Sequence, residues 1–347
     1  MLFTIKYILN KFSTKFNSLA DKTKNDKKNT KNKNNIQRRT PLYLEDIAST
    51  RIPYDDLWYS AIRCKLIHTR YKDLFTIWEA ANTNNQTLEI YPSIDDVYIT
   101  ELKGQSKPLF FKTLCKHQMI DVVIYTWHNN DAIYMTVHMD MESELAIMKK
   151  KAKLYKIVNN VCVNKFFYRR LLSVIGNIVI YLEKFKDQKR MLVVSGYSLG
   201  GIMAHIAAAI FGRMFPNLYV KCHTFGSPKP GNDEFALWFS ECVKENYRII
   251  NGTDPIVLFP LNYKWSHTEM VTLHFGINYS IHIYYHRVPW YKRLFLTRHV
   301  IRKILKKKYN KYDHHFDVYI LRLWRYVRIT SYLYSISEAE VFTPTPI

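Results

Sequence analysis

The stretch from Met191 to Gly212 constrains this chain more than any other. Met191-Leu192-Val193-Val194-Ser195 is a short apolar run of strand type. Gly196-Tyr197-Ser198-Leu199-Gly200-Gly201 follows at once, and an Ala-rich segment at helical spacing runs on to Gly212. A strand that turns into a helix through Gly-x-Ser-x-Gly is a nucleophile elbow. The serine must sit in a strained turn for its hydroxyl to project above the sheet. Gly196 and Gly200 lack the Cβ atoms that would collide in so tight a bend. Leu199 then offers its backbone N–H at a helix N-terminus, where developing negative charge is favoured. Ala204, Ala207 and Ala208 allow that helix to approach the sheet closely.

A serine nucleophile requires a base, and the base requires an orienting acid. In an elbow architecture both follow the serine, acid first. Asp254 fits: it follows the strand-like run Tyr247–Asn251 in the loop Gly252-Thr253-Asp254-Pro255, on the rim where the elbow lies. Asp233 competes, but it opens a helical segment, where N-capping is its plain role. Thirteen histidines are present. His267, His274, His282 and His286 lie in or near strands, and His314 and His315 lie late in the chain. Spacing alone leaves the base open between them. The His282-x3-His286 pair has no accompanying carboxylate or third ligand, so it does not read as a metal site. The serine chemistry calls for no cofactor.

The rest of the chain alternates. Pro53–Asn82 reads as one helix, with Trp58, Ile62, Leu66 and Tyr71 near one face. Strand-like runs follow at Val97–Leu102, Leu109–Leu114, Asp121–Trp127 and Ala132–His138, the last two joined by an Asn129-Asn130-Asp131 turn. Asn164–Phe185 has the spacing of a long amphipathic helix. Further strands are expected at Tyr219–Phe225, Tyr247–Asn251, Val271–Ile277 and Ser280–Tyr285. This alternation predicts an α/β fold with a mostly parallel sheet flanked by helices.

Four segments together resemble the fungal-type, class 3 lipases of the α/β-hydrolase superfamily. Residues 191–201 resemble the family's apolar strand and G-H-S-L-G-G, with Tyr197 where His is usual. Thr224-Phe225-Gly226-Ser227-Pro228-Lys229-Pro230-Gly231-Asn232 resembles T-F-G-x-P-x-x-G-N. Residues 248–257 resemble the R-h-x-N-x-x-D-P-V segment that carries the triad acid, here Asp254. His314-His315-Phe316-Asp317-Val318-Tyr319-Ile320 resembles H-S-M-D-x-Y-L, which selects His314 over His315 as the triad base. The resemblance spans roughly residues 120–320. It implies an α/β-hydrolase fold and a Ser198–His314–Asp254 triad acting on a lipid ester such as a triacylglycerol or phospholipid.

One departure bears on activity. The family places an R-G-[TS] turn after the strand matching Ala132–Val137, and that turn supplies the second oxyanion-hole donor beside Leu199. Here it reads His138-Met139-Asp140, so Asp140 stands in the donor position. An ionised carboxylate opposes an oxyanion, and loss of one such donor costs roughly 10²–10³-fold in turnover. Residues 141–153 have the acid-then-base pattern of a lid or a surface helix.

The chain carries 51 Lys+Arg against 29 Asp+Glu, a net charge of +22. Residues 1–40 hold a net +9 and residues 287–311 a net +10, nineteen of the 22 between them. The body is therefore close to neutral. The expected organisation is a basic arm over 1–40 and a hydrolase domain over 41–345 that includes the basic insertion 287–311. Within the arm, Ile5, Ile8, Leu9, Phe12, Phe16 and Leu19 share a helical face. In the insertion, Leu294, Ile301, Ile304 and Leu305 share another, ringed by Lys and Arg. Such helices suit an anionic membrane or lipid-droplet surface. Three readings compete: a lipase or esterase at a lipid interface, an inactive lipase-fold scaffold at an anionic membrane, and a nucleic-acid binder. No aromatic–basic motif supports the last, so no nucleic-acid partner is expected. Five widely spaced cysteines without a CxxC pair read as thiols in a reducing compartment.

Overall fold

The computed structural model describes residues 53–70, 72–83, 102–112, 122–139, 152–268, 270–276, 281–284 and 311–325. The amino-terminal arm, the strand expected at Val97–Leu102 except its last residue, Asp140, residues 141–151 and the basic insertion 287–311 except Lys311 lie outside them. The chain divides into two compact units, Met1–Pro53 with Ile157–Asn160, and Tyr54–Lys156 with Val161–Ile347. Of the first, the described part is Pro53 and a strand end with its turn, where Asn159 takes φ 46°. The second carries everything below.

Its centre is an eight-stranded sheet. The strands are β1 (Leu109–Lys112), β2 (Val122–His128), β3 (Ala132–Met139), β6 (Met191–Tyr197), β7 (Tyr219–Phe225), β8 (Glu245–Asn251), β9 (Val271–Phe275) and β10 (Ile281–Tyr284), adjacent in that order. Two short strands, β4 (Leu154–Val158) and β5 (Val161–Asn164), lie outside it. The run β3-β6-β7-β8-β9 is parallel, and antiparallel strands close both edges. Helices make the parallel returns: α3 (Lys165–Glu183) before β6, α4 (Leu199–Met214) before β7 and α5 (Asp233–Cys242) before β8. This is the mostly parallel α/β sheet that the alternation of the sequence predicts.

The helix expected over Pro53–Asn82 is two, α1 (Tyr54–Arg70) and α2 (Leu74–Thr83). Neither Gly nor Pro marks the break, so the periodicity reads through it. On α1, Leu57, Ala61, Ile62, Leu66 and Ile67 are fully buried. Each of the larger ones contributes about 1.5–3 kcal/mol of burial free energy. Alternation along β7 fixes which helix covers which face. His223 Nδ1 is 2.8 Å from Ser60 Oγ on α1, and the next residue, Thr224, faces His205 on α4. The two helices therefore cover opposite faces. Under α1, Thr136 Oγ1 and Ser195 Oγ of neighbouring strands lie 3.0 Å apart, which satisfies two buried hydroxyls at once.

Two caps hold the crossover helices. Asn164 accepts a bond from Phe166 N at 3.0 Å at the head of α3. Asn232 accepts from Phe235 N at 3.0 Å at the head of α5. Asn232, one residue before the Asp233 expected from sequence, is thus the cap of α5. Each such cap is worth about 1 kcal/mol. α4 is buried on every side from Leu199 to Phe211, as its lack of charge before Arg213 requires.

Candidate active site

The elbow forms because two backbones touch where a side chain would stand. A Cβ on Gly196 would lie 2.6 Å from the Gly200 carbonyl, and one on Gly200 would lie 2.5 Å from the Val137 oxygen. The first turn of α4 is thereby pressed onto β6 and β3. Ser198, between strand and helix, takes φ 51°, ψ −124°. That is a costly region for a residue with a Cβ. Its own N–H donates to the Phe225 carbonyl at 2.8 Å, and its carbonyl accepts from Gly201 N at 3.0 Å.

Residue 314 reaches Ser198 from the far end of the sequence. It closes a 3-10 turn, Lys311–His314, ahead of a helix, α6, over residues 316–325. Ser198 Oγ is 2.8 Å from His314 Nε2. His314 Nδ1 is 2.7 Å from Asp254 Oδ2. With Nδ1–H donating to Asp254 Oδ2, Nε2 carries the lone pair that accepts the serine proton. Asp254 sits in the loop after β8 and is 2% exposed. Its Oδ1 accepts from Ile256 N at 2.8 Å. The structure thus brings together Ser198, His314 and Asp254, and Leu199 begins α4 directly after the serine. His315 is exposed and its ring lies 5.5 Å from that of Tyr312. Asp233 heads α5, His274 Nε2 bonds the Gly252 carbonyl at 2.7 Å, and neither reaches the serine. Asp140 and His286 lie outside the described residues.

Four residues around the site escape a reading by spacing. Tyr319, on α6 and 1% exposed, donates its hydroxyl to Asp254 Oδ2 at 2.6 Å. Burial and the adjacent carboxylate push its phenol well above the usual range, so it stays a donor. Gly226 takes φ 61°, and a Cβ there would lie 3.0–3.1 Å from Tyr319 Oη, Asp254 Oδ2 and His314 Cε1. Asp313, also buried, ties the His314 turn to the Asp254 loop. Its Oδ2 accepts from Thr253 N at 2.7 Å and Thr253 Oγ1 at 2.9 Å, and its Oδ1 faces an Arg322 nitrogen at 3.4 Å. Arg322 also donates to Asn251 Oδ1 and to the Phe275 carbonyl, the latter at 3.2 Å. Gly226 and Tyr319 stand inside the T-F-G and H-x4-Y segments, a signal that could have marked them. Asp313 and Arg322 carry no such signal.

A buried carboxylate, an imidazole and a hydroxyl in this order can move one proton from serine to base and return it. Among the described residues, no cluster of three or more His, Cys, Asp or Glu side chains is disposed to hold a metal. The buried thiols are poor nucleophiles. Burial raises Cys64 and Cys242 to about 12 and Cys222 further still.

Residues 130–264 match the family model of lipase, class 3. An 80-residue stretch is 42% identical to secreted mono- and diacylglycerol lipase 1 of Fusarium solani, covering 22% of this chain and 23% of that one. Another of 95 residues is 36% identical to the secreted mono- and diacylglycerol lipase LIP1 of Malassezia globosa, covering 27% and 31%. The chain thus spans a quarter to a third of the length of these curated relatives. Among solved structures it resembles a deletion mutant of the Rhizomucor miehei lipase propeptide complex, with TM-score 0.59 and 16% identity over 78% of this chain and 80% of that one. It also resembles lipase II from Rhizopus niveus, with TM-score 0.59 and 15% identity over 76% and 94%. At these identities the structural likeness carries the fold. Residues 130–264 thus carry the similarity to class 3 lipases, and the sheet order and elbow give the chain the α/β-hydrolase fold of these structures.

Proposed function

We propose that the chain is a serine carboxylic-ester hydrolase acting on lipid esters. The observation that carries this reading is the unbroken run Ser198 Oγ–His314–Asp254 at 2.8 and 2.7 Å. Ser198 Oγ forms a bond to the ester carbonyl carbon while His314 Nε2 takes its proton. The carbonyl oxygen becomes the oxyanion, held by the Leu199 N–H at the head of α4. The carbon–oxygen bond to the alcohol then breaks, and the alcohol leaves with the proton from His314. Water, deprotonated by His314, releases the acid and restores Ser198. Asp254 holds the imidazole in the required tautomer and stabilises its cation. In this scheme Asp140 takes the second oxyanion position.

The relatives are named as mono- and diacylglycerol lipases, which favours acylglycerols over phospholipids as substrates here. The basic segments 1–40 and 287–311 would hold a hydrolase domain of residues 41–345 against an anionic membrane or droplet surface. A second reading, a lipase-fold scaffold without turnover, is favoured by His138-Met139-Asp140 in place of the donor turn. Labelling with a fluorophosphonate, with Ser198→Ala as control, separates the two. Ser198-dependent labelling is expected, and its absence from folded protein refutes the hydrolase. Salt-sensitive binding to anionic vesicles, lost on charge reversal within 298–308, tests the surface role.

A further inference from the structure

Tyr197 stands where the family's elbow usually has His. It ends β6, one residue before the nucleophile. Its ring lies against the His314 imidazole with centroids 5.2 Å apart and planes inclined by 24°. It also stacks on Phe316, at 4.4 Å and 22°. Its hydroxyl donates to the main-chain carbonyl of His314 itself. One side chain thus holds the base twice, at its backbone and at its ring face. The two imidazole nitrogens are occupied in plane by Ser198 and Asp254, so the ring face is what remains for a third contact.

We propose that Tyr197 is a positioning residue of the hydrolytic centre: its hydroxyl pins the His314 main chain, and its ring supports the imidazolium formed as His314 takes the Ser198 proton. The proposal rests on the hydrolase reading above. A cation within about 6 Å of an aromatic centroid is drawn to the ring's negative face, and the attraction grows when the pair is shielded from water. The neutral imidazole gains little from the same contact. The support therefore acts mainly after the proton moves, which is what lowers a barrier.

Of the titratable groups near His314, Asp254 from the β8 loop bonds its ring, Tyr319 from α6 bonds the same carboxylate, and Asp313 and His315 adjoin it in the chain. His68 on α1 packs edge-on against Tyr197 at 5.6 Å. None of these is altered by the substitutions below.

The test compares Tyr197→Phe, which keeps the ring and loses the hydroxyl, with Tyr197→Leu, which loses both. The Phe chain is expected to keep the acid limb of its kcat/KM profile and to lose a few-fold in kcat. The Leu chain is expected to lose roughly three- to thirty-fold in kcat, with KM unchanged. Its acid limb should move down by about half to one pH unit, because the imidazolium loses support. A Leu chain that folds with the wild-type limb overturns the proposal. So does a Phe chain whose limb moves as far as that of Leu. NMR titration of the His314 ring, assigned with His314→Asn, reads the same shift without turnover. It tests the aromatic support even if the wild-type chain fails to label at Ser198, which would sink the hydrolase reading instead. If the Leu chain does not fold, Tyr197→Met replaces it: a downward shift of His314 supports the proposal and an unmoved one overturns it.

Discussion

Replacing Asp313 by Asn removes one charge and changes little in shape, so its effect can be worked from contacts. The carboxylate is 4% exposed and accepts two bonds from Thr253, at 2.7 and 2.9 Å, while facing Arg322 at 3.4 Å. Bonds to a charged acceptor are worth about 1.5–3 kcal/mol and neutral ones about 1. Losing the charge therefore weakens the Thr253 pair by about 2 kcal/mol in all. The amide must turn its oxygen to Thr253, which leaves its NH2 facing the guanidinium. Arg322 is only 15% exposed, but it keeps bonds to Asn251 and the Phe275 carbonyl. Its lost partner, at a loose 3.4 Å, adds about 1 kcal/mol. The sum is about 3 kcal/mol, which for a domain of about 300 residues lowers Tm by roughly 5 °C. The strap joins the turn carrying His314 to the loop carrying Asp254, so geometry suffers too. The fluorophosphonate labelling rate should fall about tenfold, in line with the sensitivity of such centres to sub-ångström displacement. Differential scanning fluorimetry and timed labelling measure both. An Asn chain that melts within 1 °C of wild type, taking about that as the resolution of the scan, and labels at the wild-type rate refutes the reasoning.

Gly226→Ala places a methyl group 3.0–3.1 Å from Tyr319, Asp254 and His314 at φ 61°; a stability loss of about 1–3 kcal/mol and a larger loss of labelling are expected in denaturant and labelling series. Tyr319→Phe removes one of two donors to Asp254 Oδ2. It should cost about 1.5–3 kcal/mol in urea unfolding, and an unchanged midpoint would show that the hydroxyl bond contributes nothing. Three buried rings give an acid sensitivity with a defined sign. Burial lowers His205 and His223 to about 3, and His267 well below its usual value. Above the unfolded value near 6.5 both states are neutral and stability is full. As pH falls from there toward 3 the unfolded chain takes up protons that the folded chain refuses. Each ring then costs about tenfold in the folding equilibrium per pH unit, so urea midpoints at pH 7 and pH 5 should differ clearly.

Local patterns carried most of the sheet. β7 runs over the expected Tyr219–Phe225, and the elbow is readable because its glycines are demanded by contacts one turn away. What escaped has identifiable reasons. α1 ends at Arg70 and α2 begins at Leu74 without a change in the apolar period, so nothing in the pattern records the division. β4 and β5 are short, and the first is largely uncovered, with burial of only Leu154, Ile157 and Val158 in part. Without an alternating apolar face such strands leave no signature, although Asn159-Asn160 between them is a turn pair. Asn232 and Asp233 are both good caps by type, and only the Phe235 bond separates them. The Ser198–Asp254–His314 assignment came from four short segments. The Asp313–Thr253 strap joins residues 60 apart, a pairing visible only once the chain has folded back.

The order of the parts along the chain has a consequence for synthesis. The serine and its acid are translated early, at 198 and 254, and the sheet strands that hold them are complete by residue 275. The imidazole arrives at 314, and the groups that seat it, Tyr319 and Arg322, arrive on α6 after that. A nascent chain can therefore build most of its sheet before the proposed base and the groups that seat it are made. A single cut between 284 and 311 that let α6 depart would return the protein to that state. Such a molecule would keep a folded nucleophile strand and have nothing to activate it.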